Sequence, residues 1–225
     1  MTLYMRYIHM LIERMLENGI FIPGLFATAN SQKYAAVKDA VAPCRLQIAD
    51  FSNEYKKKFC YADFTGKLNQ TIDSLQPDFI ICFSFGHWLM QTLAAKNKTL
   101  AALPIVSIVP PGDYAASENG GKILSGLVTP EEMYAPIREL KIGPKAPGSF
   151  FEDIAQESRK YRHTQFTGNV LSISARQDQD ADPDIFNMLK QQGFARRMLI
   201  NDSHRMTRSM ADVCDVTRNF IHACV

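Results

Sequence analysis

A chain of 225 residues, 46% apolar and 21% charged, can bury one sizeable core and is expected to form a single domain over residues 1–225. Its formal net charge of +2 gives no general attraction to nucleic acid or an anionic membrane. Lys56-Lys57-Lys58, the one basic run, reads as a solvated face. Five scattered cysteines, odd in number and without metal-ligand spacing, argue against a disulfide framework or a zinc site and point to a reducing cytoplasm.

The opening "MTLYMRYIHMLIERMLENG" places Ile8, Leu11, Ile12, Met15 and Leu16 at helical spacing. Arg6, Glu13, Arg14 and Glu17 interrupt it, so it reads as an amphipathic helix and not as a signal peptide; no later window has the length of a membrane span. A short strand over Ile20–Gly24 follows, then a helix from Ser31 that Pro43 ends, and a second strand over Cys44–Phe51. The helix Thr65–Gln76 leads through Pro77 to the strand Asp78–Phe83, the helix His87–Lys96 and the strand Pro104–Pro110.

Between Pro111 and Thr167 the rhythm breaks. Thr129-Pro130-Glu131-Glu132 starts one helix there, and Glu152–Arg162 forms a second. Alternation then resumes with a strand over Asn169–Ala175, a helix over Pro183–Gln192, a strand over Arg197–Asp202 and a last helix over Thr207–Ala223. This spacing predicts an α/β fold: a doubly wound, mostly parallel sheet of about six strands with helices on both faces and a cap-like insertion, 111–167, before the fifth strand. Ligands bind such sheets at the carboxyl ends of the strands.

One such end reads Cys82-Phe83-Ser84-Phe85-Gly86-His87, a serine between two phenylalanines where a buried strand turns into a helix. A buried hydroxyl without a partner is costly, whereas a strand–G-x-S-x-G–helix turn lifts a serine above the sheet as a nucleophile. Gly86 occupies the second small position of that pattern and Cys82 the first. The other reading of Ser84 is a helix cap.

On these residues the chain resembles the α/β-hydrolases, in particular small bacterial esterase-like members. The resemblance implies a Ser–acid–His triad in that chain order. Ser84 is then the nucleophile. Asp178 and Asp180 are acid candidates after the fifth strand, with Asp178 preferred because it lies closer to the strand end; Asp182-Pro183 reads as a helix start. His204, in "NDSHRMTRS" after the last strand, is the base, and His163 is its rival. His9 and His222 read as terminal-helix residues, His87 as a helix start, and Phe83, Phe85 and Trp88 as packing around the turn. The oxyanion hole falls to the backbone N–H of Phe85 and to that of Leu25 or Phe26 in Pro23-Gly24-Leu25-Phe26, where many relatives begin His-Gly.

The implied activity is hydrolysis of a carboxylic ester or thioester of modest size with an apolar acyl or alkyl group. It involves no cofactor, no metal and no nucleic acid; the oligomeric state stays open. A ligand-binding or interaction protein built on the same fold is the alternative. A flavodoxin-like nucleotide binder is disfavoured, because "PGLFATANSQ" lacks a phosphate-cradling loop.

Overall fold

The computed structural model describes residues 16–56, 60–133 and 148–224. The helix expected over the first 15 residues lies outside them.

Six parallel strands form one sheet in the order β2-β1-β3-β4-β5-β6. They are β1 (Asn18–Ile22), β2 (Arg45–Ile48), β3 (Phe79–Phe83), β4 (Ile105–Ile108), β5 (Val170–Gln177) and β6 (Arg196–Ser203). The helices are α1 (Gln32–Ala40), α2 (Tyr61–Leu75), α3 (Phe85–Ala94), α4 (Lys98–Ala101), α5 (Glu118–Leu124), α6 (Pro130–Met133), α7 (Gly148–Tyr161), α8 (Ile185–Gln191) and α9 (Met210–His222).

The strands read as near-continuous apolar runs because both faces of the sheet are covered. Their pleat divides the core in two. Ile20, Ile22, Ile80 and Cys82 point to the face carried by α2, α3, α7 and α8, where Phe64, Leu68, Phe85, Trp88, Phe150 and Met188 pack. Phe21, Phe79, Ile81 and Phe83 point to the other face, against Val37 and Val41 of the α1 segment and Val213, Phe220 and Ile221 of α9. Helices thus lie on both faces, as the alternation predicts.

Most element boundaries differ from the sequence reading by a few residues, two of them for identifiable reasons. The second helix begins at Tyr61, four residues before the expected Thr65. Tyr61, Phe64, Leu68 and Ile72 share its buried stripe, and the Thr65 hydroxyl donates back to the Ala62 carbonyl within the helix. The helix after Ser84 starts directly at Phe85, with no spacer before His87.

Within the stretch 111–167, several of the described residues pack onto the body of the fold. Ile123, Phe150, Phe151 and Ile154 are buried in the main core, and Phe150 lies 6.0 Å from Phe85 and 5.7 Å from Phe64, ring to ring. Tyr114 meets Trp88 edge-on at 5.5 Å. Tyr114 and Phe150 thereby fasten α3 from one side, and each such phenylalanine removed from water is worth about 1.5–3 kcal/mol.

The order β2-β1-β3 places the topological switch between β1 and β3, because the chain leaves β1 toward one edge and returns on its other side. The loop after β1 and the Ser84 turn therefore border the same crevice.

Candidate active site

Ser84 has φ 48° and ψ −114°, a conformation that costs an L-residue about 1–3 kcal/mol unless its surroundings impose it. They do. The Ser84 N–H donates to the Ile108 carbonyl of β4 at 2.9 Å, and the Ser84 carbonyl accepts from the His87 N–H at 2.8 Å. Gly86 is crossed by β1 so closely that a Cβ there would lie 2.2 Å from the Ile22 carbonyl oxygen. Gly24 also packs against this turn, its Cβ position 3.6 Å from the Ser84 Cβ. Cys82, at the first small position, is not squeezed in this way; it points into the core, where burial pushes its thiol pKa up.

Held upright, the half-buried Ser84 reaches His204, with 2.6 Å between Oγ and Nε2. His204 follows β6 directly, and its Nδ1 lies 2.8 Å and 2.9 Å from the two carboxylate oxygens of Asp178, which directly follows β5. A carboxylate only accepts, so Nδ1 carries the proton and Nε2 offers its lone pair to the serine hydroxyl. The side chains of His204 and Asp178 are 18% and 4% exposed, so the pair works in a largely desolvated setting.

The two acid candidates separate cleanly. Asp180 Oδ2 stays 4.0 Å from the imidazole, while its Oδ1 accepts from the Asn119 side chain at 2.8 Å. The Asp180 N–H donates to Asp178 Oδ1 at 2.9 Å, so Asp180 helps to orient the nearer carboxylate through its backbone. Asp182 accepts from the N–H groups of Asp184 and Asp113 and stitches the start of α8 to the loop after β4. His163 is exposed just beyond α7, and His222 is the exposed last residue of α9; His9 lies outside the described residues. Asp178, Asp180 and His204 are close enough together to suggest a cation site. Both nitrogens of His204 face hydrogen-bond partners here, Nε2 toward Ser84 and Nδ1 toward Asp178.

On the opposite wall, Phe85 is the first residue of α3, where a helix leaves its N–H without an intrahelical acceptor. Leu25 and Phe26 lie in the loop after β1, with Phe26 at φ 66° and the Ala27 N–H closing the turn onto the Gly24 carbonyl at 3.1 Å. Gly24, which opens that loop, packs against the serine turn at Phe83 and Ser84. A surface cleft of about 540 Å³ lined by Asp178, Ile185, Phe186 and Leu199 opens beside the acid, away from Ser84.

Sequence reasoning missed Asp202. Fully buried, it accepts from the N–H groups of Ser203 at 2.7 Å, Arg208 at 2.8 Å and Ser209 at 2.9 Å, and so closes both ends of the loop that carries His204. Desolvation works against its charge, yet these donors prevail and hold the carboxyl below its usual range. An aspartate two residues before the histidine, with Ser209 heading the next helix, is the signal that could have found it.

His87 belongs to the support of α3. It is fully buried with Nδ1 2.8 Å from Ser107 Oγ, and burial lowers its pKa to about 4. The folded pKa lies below the ordinary 6.5, so the unfolded chain binds more protons between those values. Stability is expected to be full above pH 6.5 and to fall toward pH 4. Urea midpoints measured across that range should show a steeper slope for the wild type than for His87→Gln; equal slopes would contradict a buried neutral imidazole.

Compared by sequence, the chain matches no protein-family model and no curated protein. Solved structures do match. Est1E from Butyrivibrio proteoclasticus superposes with a TM-score of 0.65 at 13% identity, over 96% of this chain and 90% of that one. The type II thioesterase BorB from the borrelidin biosynthetic cluster gives 0.65 at 15% identity, over 93% of each chain. Mouse alpha/beta hydrolase domain-containing protein 10 gives 0.62 at 16% identity, over 92% of this chain and 90% of that one. The chain has the α/β-hydrolase fold. At these identities the likeness fixes the architecture, and what an α/β-hydrolase fold does is decided by the groups at its strand ends.

Proposed function

We propose that the protein is a serine hydrolase acting on a carboxylic ester or thioester of modest size, with Ser84 as nucleophile, His204 as base and Asp178 as acid. One observation carries this reading: the unbroken run Ser84 Oγ–His204 Nε2, His204 Nδ1–Asp178, on a serine whose backbone is forced out of the ordinary regions. A decayed crevice or a mere helix cap gives no reason for that strain, and the Ser84 side chain makes no capping hydrogen bond to α3. The thioesterase activity in the name of BorB belongs to that protein and enters here only as a compatible precedent of the fold.

In the first half-reaction His204 Nε2 takes the hydroxyl proton as Ser84 Oγ bonds to the acyl carbon. Asp178 keeps the imidazole in the required tautomer and stabilises its cation. The negative charge on the carbonyl oxygen is met by the N–H of Phe85 and of Leu25 or Phe26, an electrostatic contribution often worth several kcal/mol. The alcohol or thiol leaves with the proton from His204. Water, deprotonated by the same imidazole, then attacks the acyl-enzyme and releases the acid. No step calls for a group beyond these residues.

The expected preference for an apolar acyl or alkyl group loses part of its basis, because Ile123, Phe150 and Phe151 are taken up by the core. Leu124 and Met133 also pack against that core, and of the described residues of the segment Leu127 is an exposed large apolar side chain, at 77%.

Labelling with a fluorophosphonate tests the proposal directly. The wild type should become covalently labelled at Ser84, and Ser84→Ala should not be labelled while melting at an unchanged temperature. A folded wild type that resists labelling would turn the reading toward a ligand-binding protein.

A further inference from the structure

One cation beside the serine turn has no role in the chemistry above. Lys33 lies in the first turn of α1, and its ammonium sits 4.4 Å above the centre of the Phe83 ring, on the residue that precedes Ser84. The same ring meets the His204 imidazole edge-on at 6.5 Å. Lysine, nucleophile turn and base thus converge on one phenylalanine at the carboxyl end of the sheet.

Three features of this place disfavour a positive charge. The lysine is largely desolvated and the Arg205 guanidinium, next to the base, repels it; together these lower its pKa to about 8, with Asp202 opposing. The third is the first turn of a helix, whose partial charge is positive and which here contains no acidic residue. Among the described residues no ion pair within 4.0 Å engages Lys33. Asp202, the one carboxylate that favours its charge, is already bound by the amides of Ser203, Arg208 and Ser209 and lies 3.8 Å from the Arg208 guanidinium. Packing on Phe83 accounts for the aliphatic stem and for part of the cation's stabilisation. It does not account for a second cation placed on the loop of the base. A bound anion relieves all three features at once, since it pairs with Lys33, screens Arg205 and is favoured by the helix terminus.

We propose that Lys33, with Arg205, recognises a negatively charged group on the substrate, so that the ester or thioester hydrolysed at Ser84 is an anionic one. This rests on the reading of Ser84 as the nucleophile. The anion belongs either to the acyl part, as a distal carboxylate, or to the leaving group, as a phosphate-bearing thiol or alcohol.

Two matched pairs of substrates separate these sources and test the whole. Mono-4-nitrophenyl adipate against 4-nitrophenyl hexanoate places the charge on the acyl side. Butyryl-coenzyme A against S-butyryl-N-acetylcysteamine places it on the leaving group. For one pair the wild-type ratio of kcat/KM, anionic over neutral, should exceed that of Lys33→Gln by about tenfold, the effect of one charge-assisted contact. The wild-type ratio should shrink with added salt, and Lys33→Arg should retain it. Ratios for both pairs that are the same in wild type and Lys33→Gln would overturn the inference while leaving the hydrolase intact. If neither neutral compound is hydrolysed and the fluorophosphonate does not label, the hydrolase reading itself falls and this inference with it.

Discussion

Asp178→Asn is expected to lower kcat on the order of 10⁴-fold while Asp180→Asn lowers it less than about tenfold, with both variants folded. The amide at position 178 would present a donor where Nδ1–H requires an acceptor. The imidazole then either turns away or adopts the tautomer that carries its proton on Nε2, where no lone pair is left for the Ser84 hydroxyl. Asp180 stands at 4.0 Å and contributes mainly its backbone N–H to Asp178, which Asn keeps; Asn also keeps an acceptor for Asn119. The two values of kcat on 4-nitrophenyl hexanoate decide the matter. Equal losses would mean that the carboxylates act as one unit, and a loss under tenfold for Asp178→Asn would remove the acid from the mechanism.

Gly86→Ala is expected to destabilise the fold by about 3 kcal/mol, a fall in Tm of roughly 6–12 °C for a chain of this size, and to depress kcat in whatever remains folded. The added methyl group would meet the Ile22 carbonyl oxygen at 2.2 Å and its carbon at 2.8 Å. Both are backbone atoms of a central strand, so no side chain can rotate aside and α3 must lift from β1. Lifting α3 moves the Phe85 N–H away from the place where the oxyanion forms. Gly66→Ala serves as the control: an exposed helical glycine with nothing within 4 Å of its Cβ position should gain about 0.5–1 kcal/mol. Thermal melts of the two variants against wild type check both signs. An unchanged Tm for Gly86→Ala would show that the crossing of β1 and α3 is looser than described.

Much of this was legible before folding was considered. The helix and strand rhythm is a local property, so the parallel sheet, helices on both faces, and a serine, an acid and a histidine after the third, fifth and sixth strands could be read along the chain. Element boundaries were less legible where two local signals compete. Thr65-Gly66 looks like a helix start, but the buried stripe of Tyr61 and Phe64 carries α2 past it. Nor does the interrupted stretch before β5 show locally that Phe150 and Phe151 pack into the core against Phe64 and Phe85, more than sixty residues away in the chain.

The sequence by itself determined the order of elements, the strained turn at Ser84 and the candidates for acid and base, because each depends on residues within a few positions of one another. Only the tertiary structure sets Asp178, and not Asp180 two residues on and alike in chemistry, against the imidazole of His204, which arrives from a different strand. Only it could bring Asp202 onto the loop of the base, and Lys33 and His204 to one ring. Those relations join segments far apart in the chain, and a parallel sheet creates them by aligning the carboxyl ends of all its strands along one edge.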